Sequence, residues 1–476
     1  MEASGSIAQG GVSDRLTDRI GIGVLAGVIP ADLIDEVLIE TKAMQQRMRL
    51  LPARVVVYFV LSLSLFFGDA YEEVMRKLVQ GLRFTRLWGA GWRVPTPSAL
   101  CQARRRLGEE PVRVLFERVA VPLATPGTQC AWLGRRRLMA VDGVCLDVAD
   151  TPENNATFSR PVRGDLSGPY PQARVVGLGE CGTHAIIAAQ IGGCHVGERE
   201  LASGLLGSLE PGMLLLADRG FYSREFWAEV AARGADLLWR VSASVTLPVL
   251  EVFDDGSYRS VIIDTMERQR QYRATIRGEA REPVGTTVRV VEYQIAGRDT
   301  ATDTIRLVTT ITDPADVTAA ELAAAYAQRW EFEITLAELE TRQRGPLRVL
   351  RSQSPEMTRQ EIWGLLLTHY AIRALMAQVA TDLNTDPDRI SFIRSLRIIR
   401  RQVTNPAAFP PDHRRRRLRE TIAEIGELLN PPRRRRTYPR VLKRTARQFP
   451  RKQSTDRAVR HPEPATITIV YARVIN

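Results

Sequence analysis

Apolar residues change their spacing along the chain, and the change separates segments of different structure. Up to about residue 125 they recur at intervals of three and four, which predicts helices, including one within residues 94–108. The longest apolar run, Val55 to Phe67, has 13 residues, whereas a bilayer-spanning helix needs about 20. We therefore interpret this run as a buried core helix and expect no membrane segment.

Beyond Leu138 the pattern becomes that of an α/β core. Short, continuously apolar stretches alternate with helical ones, which predicts strands with some parallel pairing. These strands cover residues 138–150 (one strand or a tight hairpin), 173–193 (two strands joined at Gly182), 213–218 and 237–243.

The alternation is interrupted between residues 245 and 311. Stretches of β-branched residues separated by turn signals predict an antiparallel β insertion there. A long helix from Thr318 to about Arg342 and an apolar helix over Met357–Val379 follow. The predicted domains are thus helical (1–125), α/β core (126–244), β insertion (245–311), second part of the core (312–392) and basic C-terminal segment (393–476).

Positive charge is concentrated near the C-terminus. The chain carries a net charge of +12, and residues 394–460 contain 21 Lys/Arg against 5 Asp/Glu. Such a block favours a polyanionic partner. A solubilising tail is the alternative, although Ile422, Ile425, Leu428 and Leu429 form an apolar helical stripe inside the block.

Cysteine usage indicates a reducing compartment. The five cysteines are spread thinly, and an odd number argues against a disulfide framework. With no secretory signal pattern at the N-terminus, we expect a cytoplasmic protein. Cys181, His184, Cys194 and His195 resemble a zinc set only superficially, because adjacent residues in a strand point to opposite faces.

Two aspartates occupy positions at which α/β proteins place functional groups. Asp142 interrupts an apolar strand, and Asp218 ends another, before Arg219-Gly220. Open α/β sheets form their sites at the carboxyl ends of strands, and a carboxylate there is costly to bury unless it binds a cation or a donor. A turn-capping role for each aspartate is the alternative.

A third carboxylate lies on the long helix, in the run YAQRWEFE (326–333). At about 100° per residue, Tyr326, Arg329 and Glu333 share one helical face. Arginine can grip a phosphate bidentately, and tyrosine can contact a nucleotide. An exposed helix with an ordinary Arg–Glu pair at i, i+4 is the alternative.

Asp142, Asp218 and Glu333 together form an oxygen-only donor set. Such a set favours Mg²⁺, with Mn²⁺ as a substitute, over Zn²⁺. Two such ions about 4 Å apart would suit an in-line phosphodiester displacement. No phosphate-binding Gly-rich loop with GK[ST] is present in the sequence, so ATP use is not indicated.

These residues resemble the signature of the DDE transposases of the insertion-element-four family. That family carries a tyrosine, an arginine three positions later and a glutamate four positions after that, matched by Tyr326, Arg329 and Glu333. Its aspartates stand in runs such as VDGVCLDVAD (141–150) and ADRGFYS (217–223). The resemblance covers about residues 14–455.

The resemblance implies a ribonuclease-H-like catalytic core, a helical N-terminal DNA-binding domain and cut-and-paste transposition. It further implies double-stranded DNA partners, namely the terminal inverted repeats and the target, and a homodimer that pairs two ends. Arg104, Arg105 and Arg106, on the predicted helix within 94–108, are candidates for entering a DNA groove; a solvated arginine face is equally compatible.

One position departs from the family. A lysine often stands seven residues after the glutamate, and here that position is Glu340. Arg342 or Arg344 are candidate substitutes for it. A non-catalytic DNA-binding relic or transposition inhibitor is therefore the competing hypothesis, and a nuclease without strand transfer is a weaker one.

Overall fold

The N-terminal part of the chain is helical, as its apolar pattern predicts. The computed structural model describes residues 20–45, 47, 51–80, 93–164, 166–279, 281–295, 304–345, 349–404, 411–432 and 467–471. Its first five α-helices are α1 (Ala31–Glu40), α2 (Ala53–Leu65), α3 (Tyr71–Val79), α4 (Pro97–Leu107) and α5 (Glu110–Val119).

Helix α2 is the buried helix that the longest apolar run predicts. Every residue of it except Arg54 is buried. Helix α4 begins one residue earlier than the predicted start at Ser98, because Thr96 caps it and Pro97 fills its first turn. It ends at Gly108, whose φ of +72° favours glycine. None of the described helices is long and apolar enough to cross a membrane.

The α/β part is built on a mixed sheet. Its elements are β1 (Trp132–Leu133), β2 (Arg136–Asp147), α6 (Pro152–Phe158), β3 (Val162–Arg163), β4 (Leu166–Ser167), β5 (Gln172–Glu180), β6 (Ile186–Gly193), α7 (Glu198–Ser203), β7 (Met213–Ala217), α8 (Arg224–Ala231) and β8 (Asp236–Val241). The order β6-β5-β2-β7-β8 places the long strand β2 in the middle. β2 runs parallel to β7 and antiparallel to β5, which confirms the expected mixed α/β architecture.

The segment between residues 245 and 311 extends this sheet. Its elements are β9 (Glu251–Val252), β10 (Tyr258–Ile262), α9 (Thr265–Ile276), β11 (Thr286–Ile295) and β12 (Ile305–Thr309). β12 pairs antiparallel with β8, and β11, β10 and β9 follow outward. The antiparallel strands therefore continue the sheet of the core. Helix α9 begins at the end of the apolar stretch 258–265 and was not anticipated from it.

The long helix of the sequence prediction is interrupted. It consists of α10 (Ala319–Ala327), α11 (Arg329–Ala337) and a π-helical turn over Glu338–Arg342. Thr318 and Glu321 form a capping box that fixes its start. The apolar helix α12 (Pro355–Asp382) then runs through the interior and packs against both α2 and α5. It joins the N-terminal helices to the sheet.

Part of the basic C-terminal segment is packed onto the helical core. Helices α13 (Phe392–Thr404) and α14 (Pro411–Gly426) both contact α12. Ile425 is buried and Ile422 and Leu429 are partly buried, whereas Leu428 is exposed, so the predicted apolar stripe is only partly used. The last described strand, β13 (Ile467–Ile469), pairs with β11. The arginine run 433–436 lies outside the described residues.

Candidate active site

Strand register places the two aspartates side by side. In the parallel ladder between β2 and β7, Ala140 is the partner of Leu216. Continuing this register by two residues brings Asp142 beside Asp218, just where β7 ends. Neighbouring strands are about 4.8 Å apart, so the two aspartates lie at the same point of the sheet.

Helix α11 brings the third carboxylate over this point. It packs on β2, and the ring of Phe332 lies against the backbone of β5 at Gly177 and Gly179. A Cβ atom at Gly179 would lie 2.0 Å from the Phe332 ring, so only glycine permits this approach. Because Glu333 follows Phe332 directly, the packing of this ring sets the height of the Glu333 carboxylate above the sheet and its rotation about the helix axis.

Arg329 lies between the carboxylates. Its Nη1 is 3.4 Å from Asp142 Oδ2, and its Nη2 donates to Glu333 Oε1 at 2.7 Å. Because both nitrogens belong to one guanidinium, Asp142 and Glu333 are well under about 10 Å apart. Asp218 also acts electrostatically on Arg329. The structure therefore brings all three predicted carboxylates to one cation.

Tyr326 is part of the support of this site. Its side chain is buried, and its hydroxyl donates to the carbonyl of Ala217, the residue before Asp218, at 3.4 Å. Burial raises the pKa of Tyr326 above its usual range. The phenol thus holds the end of β7 rather than facing solvent, which does not favour the predicted contact with a nucleotide.

The three predicted carboxylates lie close together, but their oxygen atoms do not converge on one point. Burial raises the pKa of Asp142 to about 6; Glu333 and Glu198 act in the same direction, and the Gly143 amide and Arg329 act against it. The carboxylate oxygens of Asp142, Asp218 and Glu333 do not all lie within 4.8 Å of one another. Asp218 Oδ1 is buried without a hydrogen-bond partner among the described residues.

Glu198 is a fourth carboxylate, which sequence reasoning missed. It opens α7 and acts electrostatically on Asp142, and a Cβ atom at the adjacent Gly143 would lie 3.1 Å from Glu198 Oε1. The glycine after Asp142 makes room for this second acidic group. Only the fold of the β6–α7 connection brings the two together, and no local signal marks it.

The π-helical turn changes the geometry at Glu340. In a regular α-helix, position 340 would return to the face of Glu333, but the wider turn over Glu338–Arg342 alters the rotation between them. Of the candidate substitutes, Arg344 is buried, with its guanidinium 5.2 Å from the ring centroid of Phe67. Arg342 is exposed and contacts Glu338 at 3.1 Å.

The three N-terminal arginines differ in position. Arg104 is fully buried; its guanidinium donates to Gln360 Oε1 at 2.8 Å and to Met357 O at 3.2 Å, both on α12. This corrects its assignment as a DNA contact, because its hydrogen bonds join α4 to α12. Arg105 and Arg106 are exposed. Arg106 borders a cavity of about 520 Å³ that Lys42 and Arg47 also line.

The two cysteines and two histidines that resemble a zinc set in the sequence do not form a metal-binding cluster in the fold. Among the described residues, His184 shares a potential metal-binding cluster with Glu331 and Asp388, and not with Cys181, Cys194 or His195. Glu331 is not a candidate in the sequence, because it lies off the helical face that Tyr326, Arg329 and Glu333 share.

Two sequence families match successive parts of the chain. The family described as "Insertion element 4 transposase N-terminal" matches residues 19–117. The family described as "Transposase DDE domain" matches residues 136–370. The second match contains Asp142, Asp218, Tyr326, Arg329 and Glu333.

Individual proteins agree with these families. The chain is 29% identical over 429 residues to the transposase InsG for insertion sequence element IS4 of Escherichia coli (strain K12), covering 90% of this chain and 93% of that protein. It is 26% identical over 217 residues to the putative transposase InsZ of the same organism, covering 45% of this chain and 69% of that protein. A cryo-EM structure of a piggyBac transposase synaptic complex with hairpin DNA is similar at a TM-score of 0.44, with 13% identity and 84% of each chain covered.

Proposed function

We propose that Asp142, Asp218 and Glu333 are the catalytic carboxylates of this chain, which belongs to the insertion element 4 family of DDE transposases. Its function is DNA transposition. The reaction that we propose is cut-and-paste: hydrolysis of a phosphodiester at the element end, then strand transfer by the released 3′-hydroxyl. The observation that carries the proposal is the convergence of the three carboxylates on Arg329.

The donor set fits hard divalent cations. It contains only carboxylate oxygens, one of which, Asp218 Oδ1, is buried without a partner among the described residues. Burial raises the pKa of Asp142 to about 6. A nearby cation would stabilise the charged form of this carboxylate. We propose two Mg²⁺ ions, replaceable by Mn²⁺, which would activate the attacking oxygen and stabilise the leaving one. Glu198 is a candidate for an additional ligand.

Arg329 has two successive roles in this proposal. Without metal it balances the negative charge of Asp142 and Glu333. Metal ions held by the carboxylates would balance that charge, and the guanidinium would then be free to bind a phosphate group of the DNA bidentately. Tyr326 is a positioning residue, because its hydroxyl bonds to the carbonyl immediately before Asp218.

We propose further that the core is ribonuclease-H-like and that the predicted domain boundaries hold. Three antiparallel strands, β6, β5 and β2, are followed at the β2 side by β7 and β8, which run parallel to β2. This strand order supports such a core. The antiparallel strands of 245–311 then enter between β8 and α10, that is, between Asp218 and Glu333 in the chain.

The partner that we propose is double-stranded DNA, bound by a homodimer that pairs two element ends. The exposed Arg105 and Arg106 are candidates for phosphate contacts, and Arg106 borders a cavity that Lys42 and Arg47 also line. Replacing either arginine by alanine is expected to weaken binding of element ends and to lower the salt dependence of log K by about one. Arg113→Ala, which removes an arginine already paired with Glu110 and Glu117, is the control.

The test of the active site uses DNA that carries the inverted repeats flanking the gene. Asp142→Asn, Asp218→Asn and Glu333→Gln are each expected to reduce cleavage by about 1,000-fold or more and to retain DNA binding. Asp147→Asn is the control, because Asp147 lies on the same strand and its Oδ1 accepts from Gln172. Parental cleavage by any of the three triad variants would remove that residue from the proposal.

The same assay separates the alternatives. A DNA-binding relic or inhibitor would bind the ends and leave them intact at every Mg²⁺ or Mn²⁺ concentration. A nuclease without transposition would release the ends and yield no joined product with target DNA. Both cleaved and joined products are expected.

A further inference from the structure

A second polar cluster lies behind α11, on the side away from Glu333. His184 Nε2 is 2.9 Å from Glu331 Oε2 and 2.8 Å from Asp388 Oδ1. The potential ligand atoms of the three residues all lie within 4.8 Å of one another. The side chains of His184 and Glu331 are 1% and 2% exposed, and that of Asp388 is 9% exposed, so the cluster is closed to solvent.

The hydroxyl of Thr335 suits the tautomer of His184 that a metal ion requires. Thr335 Oγ1 lies 2.9 Å from the carbonyl oxygen of Glu331 and 2.8 Å from His184 Nδ1. When the hydroxyl donates to the carbonyl, Oγ1 accepts from an Nδ1–H. The lone pair of the neutral imidazole is then on Nε2, the atom that faces both carboxylates.

A lone pair directed at two carboxylate oxygens is repulsive unless a positive charge lies among them. Protonation of Nε2 would supply one charge and one donor for two carboxylates. A dication bound by all three atoms would accept the lone pair and balance the charge of both carboxylates.

We propose that His184 Nε2, Glu331 and Asp388 bind a divalent transition-metal ion, with Zn²⁺ as the probe. Imidazole with carboxylates suits Zn²⁺ better than Mg²⁺. Donor separations of 2.8 and 2.9 Å would widen to about 3.3 Å to place each donor about 2.0–2.1 Å from a tetrahedral ion. A metal-binding histidine typically donates its other N–H to an oxygen that fixes its tautomer, and Thr335 supplies that oxygen.

The three ligands connect parts of the chain that are remote in sequence. His184 lies in the β5–β6 turn, Glu331 on α11 and Asp388 in the short turn Pro387–Arg389 before α13. An ion there would fasten the helix that carries Glu333 to the end of the sheet and to the C-terminal helices. This site is distinct from the triad in donors and position, so the proposal does not depend on the catalytic one.

The test is zinc binding by the full-length protein after treatment with a chelator and dialysis, with excess Mg²⁺ present. One equivalent of Zn²⁺ is expected by calorimetric titration, accompanied by a rise in the unfolding temperature. Glu331→Gln and Asp388→Asn are expected to weaken zinc binding at least a hundredfold. Thr335→Val, which keeps the shape of the side chain, is expected to weaken it tenfold to a hundredfold. Glu333→Gln is the control and should retain the equivalent.

Absence of a stoichiometric equivalent in the parent protein would overturn the proposal, as would equal zinc binding by the Glu331→Gln and Asp388→Asn variants. If those variants do not fold, X-ray absorption of the zinc-loaded parent protein decides. A nitrogen/oxygen shell with imidazole scattering supports the site. A sulfur shell, indicating cysteine binding, overturns it.

Discussion

The two faces of α11 present similar side chains in opposite environments. Glu333 and Glu331 are two residues apart and therefore rotated by about 200° around the helix. The Glu333 side chain is 35% exposed and contacts Arg329, whereas that of Glu331 is 2% exposed and contacts His184. The face that carries Glu333 is open to solvent and lies among carboxylates. The face that carries Glu331, which we call the closed face, is shielded from solvent and includes an imidazole.

Exposure to solvent separates the two clusters, although a glutamate of the same helix contributes to each. The open, oxygen-only cluster would admit hydrated ions and a DNA strand, whereas the closed cluster with its imidazole would retain an ion once bound. Phe332, whose ring lies against Gly179, sets the rotation of the helix that carries both glutamates.

The largest expected effect distinguishes the two glutamates directly. Glu333→Gln should lower single-turnover cleavage of element ends about 1,000-fold and leave the unfolding temperature nearly unchanged, because this side chain is partly exposed. Glu331→Gln should cleave within about tenfold of the parent and unfold at a lower temperature. Calorimetry and a cleavage assay on the same samples check both. The reverse pattern would show that the faces have been assigned to the wrong roles.

Low pH should lower the stability of the folded protein, because Glu338 on the closed face becomes protonated. Burial acts to raise the pKa of Glu338, but Arg373 and His369 outweigh it and lower the pKa from 4.5 to about 2. A native pKa below the unfolded one gives stability that is complete above pH 4.5 and is lost as the pH falls towards 2. The loss is on the order of 3 kcal/mol.

Urea unfolding at a series of pH values measures this loss. Glu338→Gln should be less stable than the parent at neutral pH and should show a flatter dependence between pH 4.5 and 2. Glu340→Gln, in the same π-helical turn, is the control and should keep the parental slope. An unchanged slope in Glu338→Gln would assign the acid sensitivity elsewhere.

The packing of Phe332 against Gly179 should affect both faces of α11. Gly179→Ala places a methyl group 2.0 Å from the nearest atom of the Phe332 ring, and is expected to destabilise the protein by about 1–3 kcal/mol. Cleavage should also fall, because the displaced helix carries Glu333. Adding Phe332→Leu should recover part of both losses. A single variant with parental stability and cleavage would show that this contact does not position α11.

The smallest expected effect concerns the two arginines, one on each side. Arg329→Lys keeps a charge beside Asp142 and Glu333 but loses the two-pronged contact, and we expect cleavage to fall about tenfold. Arg373→Lys makes the same change on the closed face, where Arg373 contacts Glu338. It should lower the unfolding temperature and leave the cleavage rate alone. Equal effects of both variants on cleavage would contradict separate roles.

Local pattern accounted for most of the elements and for the candidate carboxylates. The apolar run at α2, the strand that ends before Asp218 and the helix that carries Glu333 are each encoded by neighbouring residues, through side-chain period and capping. The spacing of Tyr326, Arg329 and Glu333 likewise follows from helical geometry alone. These features are therefore readable without knowledge of the fold.

Contacts between distant segments were decided only by the tertiary structure. Arg104 resembles its neighbours Arg105 and Arg106 in sequence, yet α12 covers it with hydrogen-bond acceptors. Glu198 lies beside Asp142, and His184 lies between Glu331 and Asp388, because strand register and helix packing bring those segments together. Burial and electrostatic environment depend on such packing, so the sequence determined which groups were available and the fold determined what surrounds each of them.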